Sequence, residues 1–354
     1  MASRRLGRTA AVMLGLVPLL AGLLGGCSGA TTTGLPVPPL PTHLPVLPLP
    51  KQLDGYHVFV SDLLTGNVAE LGTFTRHVAE SVHGIGLSAD GKSLYVADVA
   101  GNNLDAFSLS GPQGFDSSAK AAHTAPTGLF PVHMVNTLDG HTIFVTNFNE
   151  SSISVIDAAT WKVIKKIQVP NKPHGIVLSP DGRFVYASCY GAHAVAVINV
   201  ATETLAHTVV LPVASEPYGI GISADGRYVY ASDNFTGRLM IVNTTTDTYV
   251  GSVQIGLHPA LIARSPNGKL LYVANGGSRT VSALDIGTDP AHPKVIATVP
   301  VQGYPHGLAV TPDGRYVVVA NTLGDSLSVI DTTTNRVVAT IKGEKYPIDV
   351  VIAG

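Results

Sequence analysis

Three histidines stand at equivalent points of a repeating pattern, and each is followed 15 residues later by a residue with polar or thiol chemistry: His83 with Asp98, His174 with Cys189, His306 with Asn321. The same interval joins Val132 to Asn147, Tyr218 to Asp233 and Ala260 to Asn275, and His133 follows Val132 directly. Imidazoles suit transition metals, whereas carboxylate and amide oxygens suit Ca²⁺. A carboxylate such as Asp98 or Asp233 beside an open metal position is the minimum for metal-assisted hydrolysis. A structural reading competes: Asp and Asn at strand ends hydrogen-bond loop backbone, and a buried thiol such as Cys189 is inert. No Gly-x-Ser-x-Gly, Cys-x-x-Cys-His, His-Glu-x-x-His or Walker loop accompanies these residues, so the pattern has to be judged by what positions it.

The positioning elements come from a repeat. A turn of the form Ser-(Ala/Pro)-Asp-Gly-(Lys/Arg) recurs at Ser88–Lys92, Ser179–Arg183 and Ser223–Arg227, with close variants at Ser265–Lys269 and Thr311–Arg315 and a weaker copy at Asp139-Gly140. The Asp/Asn-Gly pairs are 42 to 49 residues apart. Such pairs signal tight hairpins, because those turns require positive φ. Each repeat reads as a short apolar strand (His174–Leu178), the turn, a second strand (Leu271–Asn275), a third (Ser326–Asp331), a Thr-rich turn and a fourth (Val337–Ile341). Four short antiparallel strands per repeat form the blade of a β-propeller.

Six complete units begin at His83, Val132, His174, Tyr218, Ala260 and His306. The chain ends on a lone first strand, Ile348–Ile352, and its repeat region begins with a second-strand sequence, Tyr56–Asp62. The expected fold is therefore an all-β, seven-bladed propeller, with blade seven closed by the C-terminal strand plus three N-terminal strands. Such a clasp removes open sheet edges.

Phe144–Asn147, Tyr272–Asn275 and Val318–Asn321 resemble the YVTN motif of surface-layer-type bacterial β-propeller proteins, from about residue 54 to the C-terminus. The resemblance implies the fold. The wider group it resembles includes binding proteins, lactonases, streptogramin-type lyases, amine dehydrogenase heavy chains and haem d1-binding propellers, so it leaves activity open.

In a propeller the first strand of each blade is innermost, and hairpin folding sets the 15-residue pairs opposite one another to within one position. The expected ring at one channel mouth gathers His83, Asp98, His133, Asn147, His174, Tyr218, Asp233, Asn275, His306, Asn321 and, from blade seven, Asp62. A metal site there requires blades 1 and 6 to converge. The ring admits a divalent metal or a haem and dictates neither. Gly84, Gly175, Gly219 and Gly307 follow the openers, where a missing side chain lets backbones crowd the axis.

Ahead of the propeller, expected over residues 51–354, lie two other segments. Residues 1–27 read as a lipoprotein signal peptide: Arg4, Arg5 and Arg8, an apolar run Ala10–Leu24, and Leu24-Gly25-Gly26-Cys27, which resembles a lipobox with Cys27 as the lipidated residue. Residues 28–50 hold seven prolines and read as a stiff spacer, which at ~3.1 Å per residue reaches up to ~60–70 Å. The chain is then extracytoplasmic, on the periplasmic or cell-surface side, with the membrane as a partner through its lipid. The formal charge is −2, and three of the 22 basic residues fall in the leader, which leaves no footprint for nucleic acid. The leading expectation is a non-catalytic scaffold whose channel mouth binds a small ligand or an envelope protein. The alternative is a propeller enzyme, lactonase- or lyase-like with a metal, or redox-active with a haem.

Overall fold

The structure is a computed structural model that describes residues 46–109 and 120–354. The expected signal peptide with Cys27, and the spacer up to residue 45, lie outside the described residues. Among the described residues, 28 strands form seven four-stranded antiparallel sheets. Six are contiguous in the chain. The seventh runs Pro347–Ala353, His57–Asp62, Asn67–Glu70, Phe74–His77, so the two ends of the propeller interlock with His57 opposite Ala353 and Phe59 opposite Val351. No helix of the described residues is long and apolar enough to cross a membrane.

Burial follows position in the blade. Second strands such as Leu270–Asn275 are buried almost throughout, because neighbouring sheets cover both faces. The outermost strand Lys162–Gln168 keeps its alternate residues exposed, as expected when only one face is covered. The repeated turn has a chemical basis: the Ser179 hydroxyl donates to Asp181 Oδ1 at 2.6 Å, which also accepts from Arg183 N, while Phe184 N donates back to the hydroxyl. Gly182 supplies the positive φ of 70°.

The inner strands carry one feature that simple hairpin counting misses. In blade 3, Pro173 lies opposite Cys189 but Ile176 lies opposite Ala187, so His174 and Gly175 together face Ser188. The same bulge recurs in blades 1, 2, 4, 5 and 6, with a matching shift in blade seven. A bulge re-aims side chains at a sheet edge. Here a hydroxyl stabilises it: Gly175 N donates to Ser188 Oγ, and that hydroxyl donates to the Tyr218 carbonyl of the next blade. Ser61, Thr146 and Ser232 make the equivalent link to the carbonyls of His83, His174 and Ala260. Neighbouring inner strands thus approach closely. A Cβ on Gly84 would sit 2.2 Å from the Val132 carbonyl oxygen, and one on Gly307 2.5 Å from that of Ile348.

The spacer expected over 28–50 gives its last residues to the core. Leu47 is buried and packs with Leu53 and Leu71, and Gly72 N donates to its carbonyl at 2.6 Å.

Two buried carboxyls meet beside the clasp. Asp62, at the end of its strand, and Glu344, just before the C-terminal strand, interact as neighbouring carboxyls. Burial pushes both above the usual carboxylate range, and the Glu344 carboxyl raises Asp62 further. The folded state therefore binds more protons than the unfolded chain above about pH 4, and stability falls as pH rises through the folded titration. Replacing Glu344 by Gln is expected to raise the melting temperature at pH 8 by about 2–4 °C and by less at pH 5. An equal change at both pH values would contradict the raised proton affinity of the pair.

Candidate functional site

Each inner strand contributes its second and third residues to one end of the channel. Around the ring the second residues are His83, Val132, His174, Tyr218, Ala260, His306 and Ile348; the third are Gly84, His133, Gly175, Gly219, Leu261, Gly307 and Asp349. Because the bulge brings both positions to the axis, His133 joins the histidines from the neighbouring second positions. The rings of His83, His133 and His174 pack at 5.1–5.3 Å between centroids, steeply inclined. His306 comes within 5.7 Å of His83, so blades 1 and 6 do converge. Tyr218 lies against His174 at 3.6 Å.

The four imidazoles differ in their bonding. His306 Nδ1 faces the Ile348 carbonyl at 3.0 Å and must donate; its Nε2 therefore accepts from the Tyr218 hydroxyl at 2.9 Å. Both of its nitrogens are satisfied. Both ring nitrogens of His83 and of His174, and Nε2 of His133, find no hydrogen-bond partner among the described residues. The Tyr218 carbonyl, which accepts from Ser188, also lies near His174 and acts against the lowering of its proton affinity. Leaving a buried polar group unpaired costs about 1–3 kcal/mol, so these nitrogens are a concentrated source of instability unless something engages them. One ligand atom from each of His83, His133 and His174 falls within 4.8 Å of the other two.

Burial, followed by the mutual repulsion of neighbouring imidazoles, keeps the cluster neutral. It lowers His83 and His174 well below the usual histidine value and His133 to about 3; burial alone brings His306 to about 4. Asp349 is the polar hub residue that counting along the sequence overlooks. Its Oδ2 accepts from Ile85 N at 3.2 Å and lies 3.7 Å from His133 Nδ1, and burial pushes its carboxyl up to about 7. The available signal was its place, one residue after the blade-seven opener, where four blades have glycine.

The Asn/Asp column of the expected ring does not join the imidazoles; its hydrogen bonds brace its own blades, although Oδ1 of Asn275 and of Asn321 finds no partner among the described residues. Asn147 accepts from Gly128 N and donates to the Ser152 and Ser154 hydroxyls. Asn275 donates to Thr280 and Ser282, and Asn321 to Ser326 and Ser328. Asp233 accepts from Glu216 N at 2.8 Å, Asp98 from Gly101 N at 2.9 Å and Asp62 from Thr65 Oγ1 at 2.9 Å. The one-residue bulge is the physical reason: it pairs the column with the first residue of each inner strand, Val82 opposite Asp98 and Pro305 opposite Asn321, leaving the histidines one step further in. Cys189, in the same column, is buried and its thiol pushed up to about 12.

Over the histidine end sits a rim built by another repeated device. Phe130, Lys172, His258, Tyr304 and Tyr346 each precede a proline and hold φ between 47° and 60°. Bulky residues rarely adopt this conformation unless the surroundings fix it. Here each carbonyl accepts from a backbone amide beyond the second strand: Phe148, Tyr190, Gly276, Thr322 and Leu63. Phe148 stands 6.0 Å from His174, Tyr190 6.0 Å from Tyr218, and Lys172 Nζ lies over Phe148 at 5.5 Å. The result is a largely aromatic, fixed rim above a buried imidazole cluster.

A sequence profile of the family described as "Lactonase, 7-bladed beta-propeller" matches residues 60–249 and 236–346. The chain is 38% identical over 111 residues to Antigen Lp49 of Leptospira interrogans; that stretch is 30% of this chain and only 24% of the antigen. Among solved structures it resembles a candidate 6-phosphogluconolactonase of Bacteroides fragilis (TM-score 0.74, 17% identity, covering 86% of this chain and 100% of that one). It also resembles the periplasmic gluconolactonase of Pseudomonas aeruginosa (0.69, 19%, 84% and 99%). Hydrazine synthase of Kuenenia stuttgartiensis matches as well (0.66, 20%, 77% and 91%). Identities this low carry the fold alone.

Proposed function

Because the chain belongs to the lactonase family of seven-bladed β-propellers, and a family of that fold leaves activity to the individual site, we propose that it is a non-catalytic binding propeller. In this reading its repeats are of the YVTN type, and a lipid on Cys27 holds it at the extracytoplasmic face of the membrane. The histidine end of the channel takes a small ligand or a projecting segment of an envelope protein. The observation that carries the reading is the rim: aromatic side chains, set by left-handed backbone and locked by hydrogen bonds, over imidazoles that burial keeps neutral. Such a surface binds with little ordering cost.

One observation favours lactone hydrolysis as a second reading. Asp349, with its carboxyl pushed up to about 7 beside His133, has the proton affinity that suits a general base at neutral pH. Assays with glucono-1,5-lactone and its 6-phosphate separate the two. The binding reading expects no rate above spontaneous opening. Saturable turnover that Asp349→Asn abolishes would replace it with the hydrolytic one. The tether is tested independently by Cys27→Ser, which is expected to release the protein from membranes or block its processing.

A further inference from the structure

We propose that His83, His133 and His174 hold a single first-row transition-metal ion, zinc or copper, at the axis of the propeller. The inference stands whether or not the rim above takes an organic ligand. Three neutral imidazoles from three different blades offer nitrogens within 4.8 Å of one another, and five of their six ring nitrogens lack hydrogen-bond partners among the described residues. An ion bound at the ~2.0–2.1 Å typical of zinc–imidazole bonds would set the nitrogens ~3.4 Å apart.

The donor set selects the ion. Imidazole suits zinc and copper, whereas calcium and magnesium need oxygen ligands that this trio does not offer. Centroid spacings of 5.1–5.3 Å leave room for an ion and none for a porphyrin. His133 Nδ1 stands beside Asp349, which leaves Nε2 to face the ion, the usual arrangement of a carboxylate behind a metal-bound histidine. His306 is excluded from the ligand set because both of its nitrogens are already hydrogen-bonded.

The full-length protein, stripped with chelator, is titrated with Zn²⁺ and Cu⁺ against a competing chelator and with Co²⁺ as an absorbing probe. One equivalent is expected to bind, to raise the melting temperature, and with Co²⁺ to give the visible bands of a low-coordinate nitrogen site. His83→Gln, His133→Gln and His174→Gln are each expected to weaken binding by ~100-fold or more, as befits loss of one of only three ligands, while His306→Gln stays close to wild type. The absence of a stoichiometric site overturns the proposal. So does equal weakening by His306→Gln, or wild-type affinity in all three trio variants. Should those variants fail to fold, X-ray absorption of the wild-type zinc form decides: three imidazoles support the site, and any other count refutes it. None of these outcomes bears on the lactone assays, so the two readings fail separately.

Discussion

A chain shortened by residues 348–354 is expected to aggregate or to melt far below the full-length protein. The deletion removes the innermost strand of blade seven and with it the buried side chains Ile348 and Val350 and the partly buried Val351 and Ile352. Full burial of such a side chain is worth roughly 1.5–3 kcal/mol, so the loss approaches the ~5–15 kcal/mol net stability of a typical domain. Three further contacts go with the strand. His57–Asp62 loses its ladder on one side, Ile85 N loses Asp349, and His306 loses the Ile348 carbonyl. The bared edge then invites pairing between molecules. Size-exclusion chromatography and thermal unfolding check the result. A monomer that unfolds cooperatively within a few degrees of the intact chain would refute the clasp as the element that closes the ring.

The second large effect needs a single methyl group. In Gly219→Ala the new Cβ would lie 2.3 Å from the Ala260 carbonyl oxygen and 2.8 Å from Leu261 Cα. Both are backbone atoms, so no rotamer relieves the clash and blades 4 and 5 must part at the axis. The movement strains the Ser232 hydroxyl bond to the same carbonyl. Overpacking of this kind costs about 1–3 kcal/mol, and the lost bridge places Gly219→Ala at the upper end. The melting temperature should fall by roughly 6–10 °C. Gly251→Ala, on an outer strand where an added Cβ meets nothing within 4 Å, is the matched control. It should be neutral or stabilise by about 0.5 kcal/mol. Equal melting of the two variants would show that the axis is not close-packed.

Architecture was legible in the sequence because it repeats. Turn chemistry at Ser179–Arg183 and its copies marks the hairpin between the first and second strands of blades 1 to 6, and the unpaired first strand at the C-terminus matches the missing one near the N-terminus. The site was legible only in part. His83, His174 and His306 were recognisable as equivalents, and the glycines after them as points of close approach. Counting 15 residues across each hairpin could not reveal the bulge, and the bulge decides which side chains meet. It carries His133, already in the expected ring, to the axis and adds Asp349, while Asn147, Asn275 and Asn321 remain engaged within their blades. Nor could spacing reveal that His306 is fully hydrogen-bonded while His83 and His174 are not. That distinction depends on Tyr218 and Ile348, which approach it from two other blades.

The interlocked ends also impose an order in time. Blades 1 to 6 are each made from one continuous stretch and can form as that stretch leaves the ribosome, since chains fold broadly in the direction of synthesis. Residues 57–77 emerge first yet remain an unfinished sheet until residues 347–353 arrive. The longest-range pairing in the molecule is therefore its final event, and such pairings are slow to find. Until it happens, the newborn protein is an open arc with an exposed edge at either end, at its most vulnerable to neighbours just before completion. Loss of residues 347–353 would strand every molecule at that stage, after all six other blades had been made.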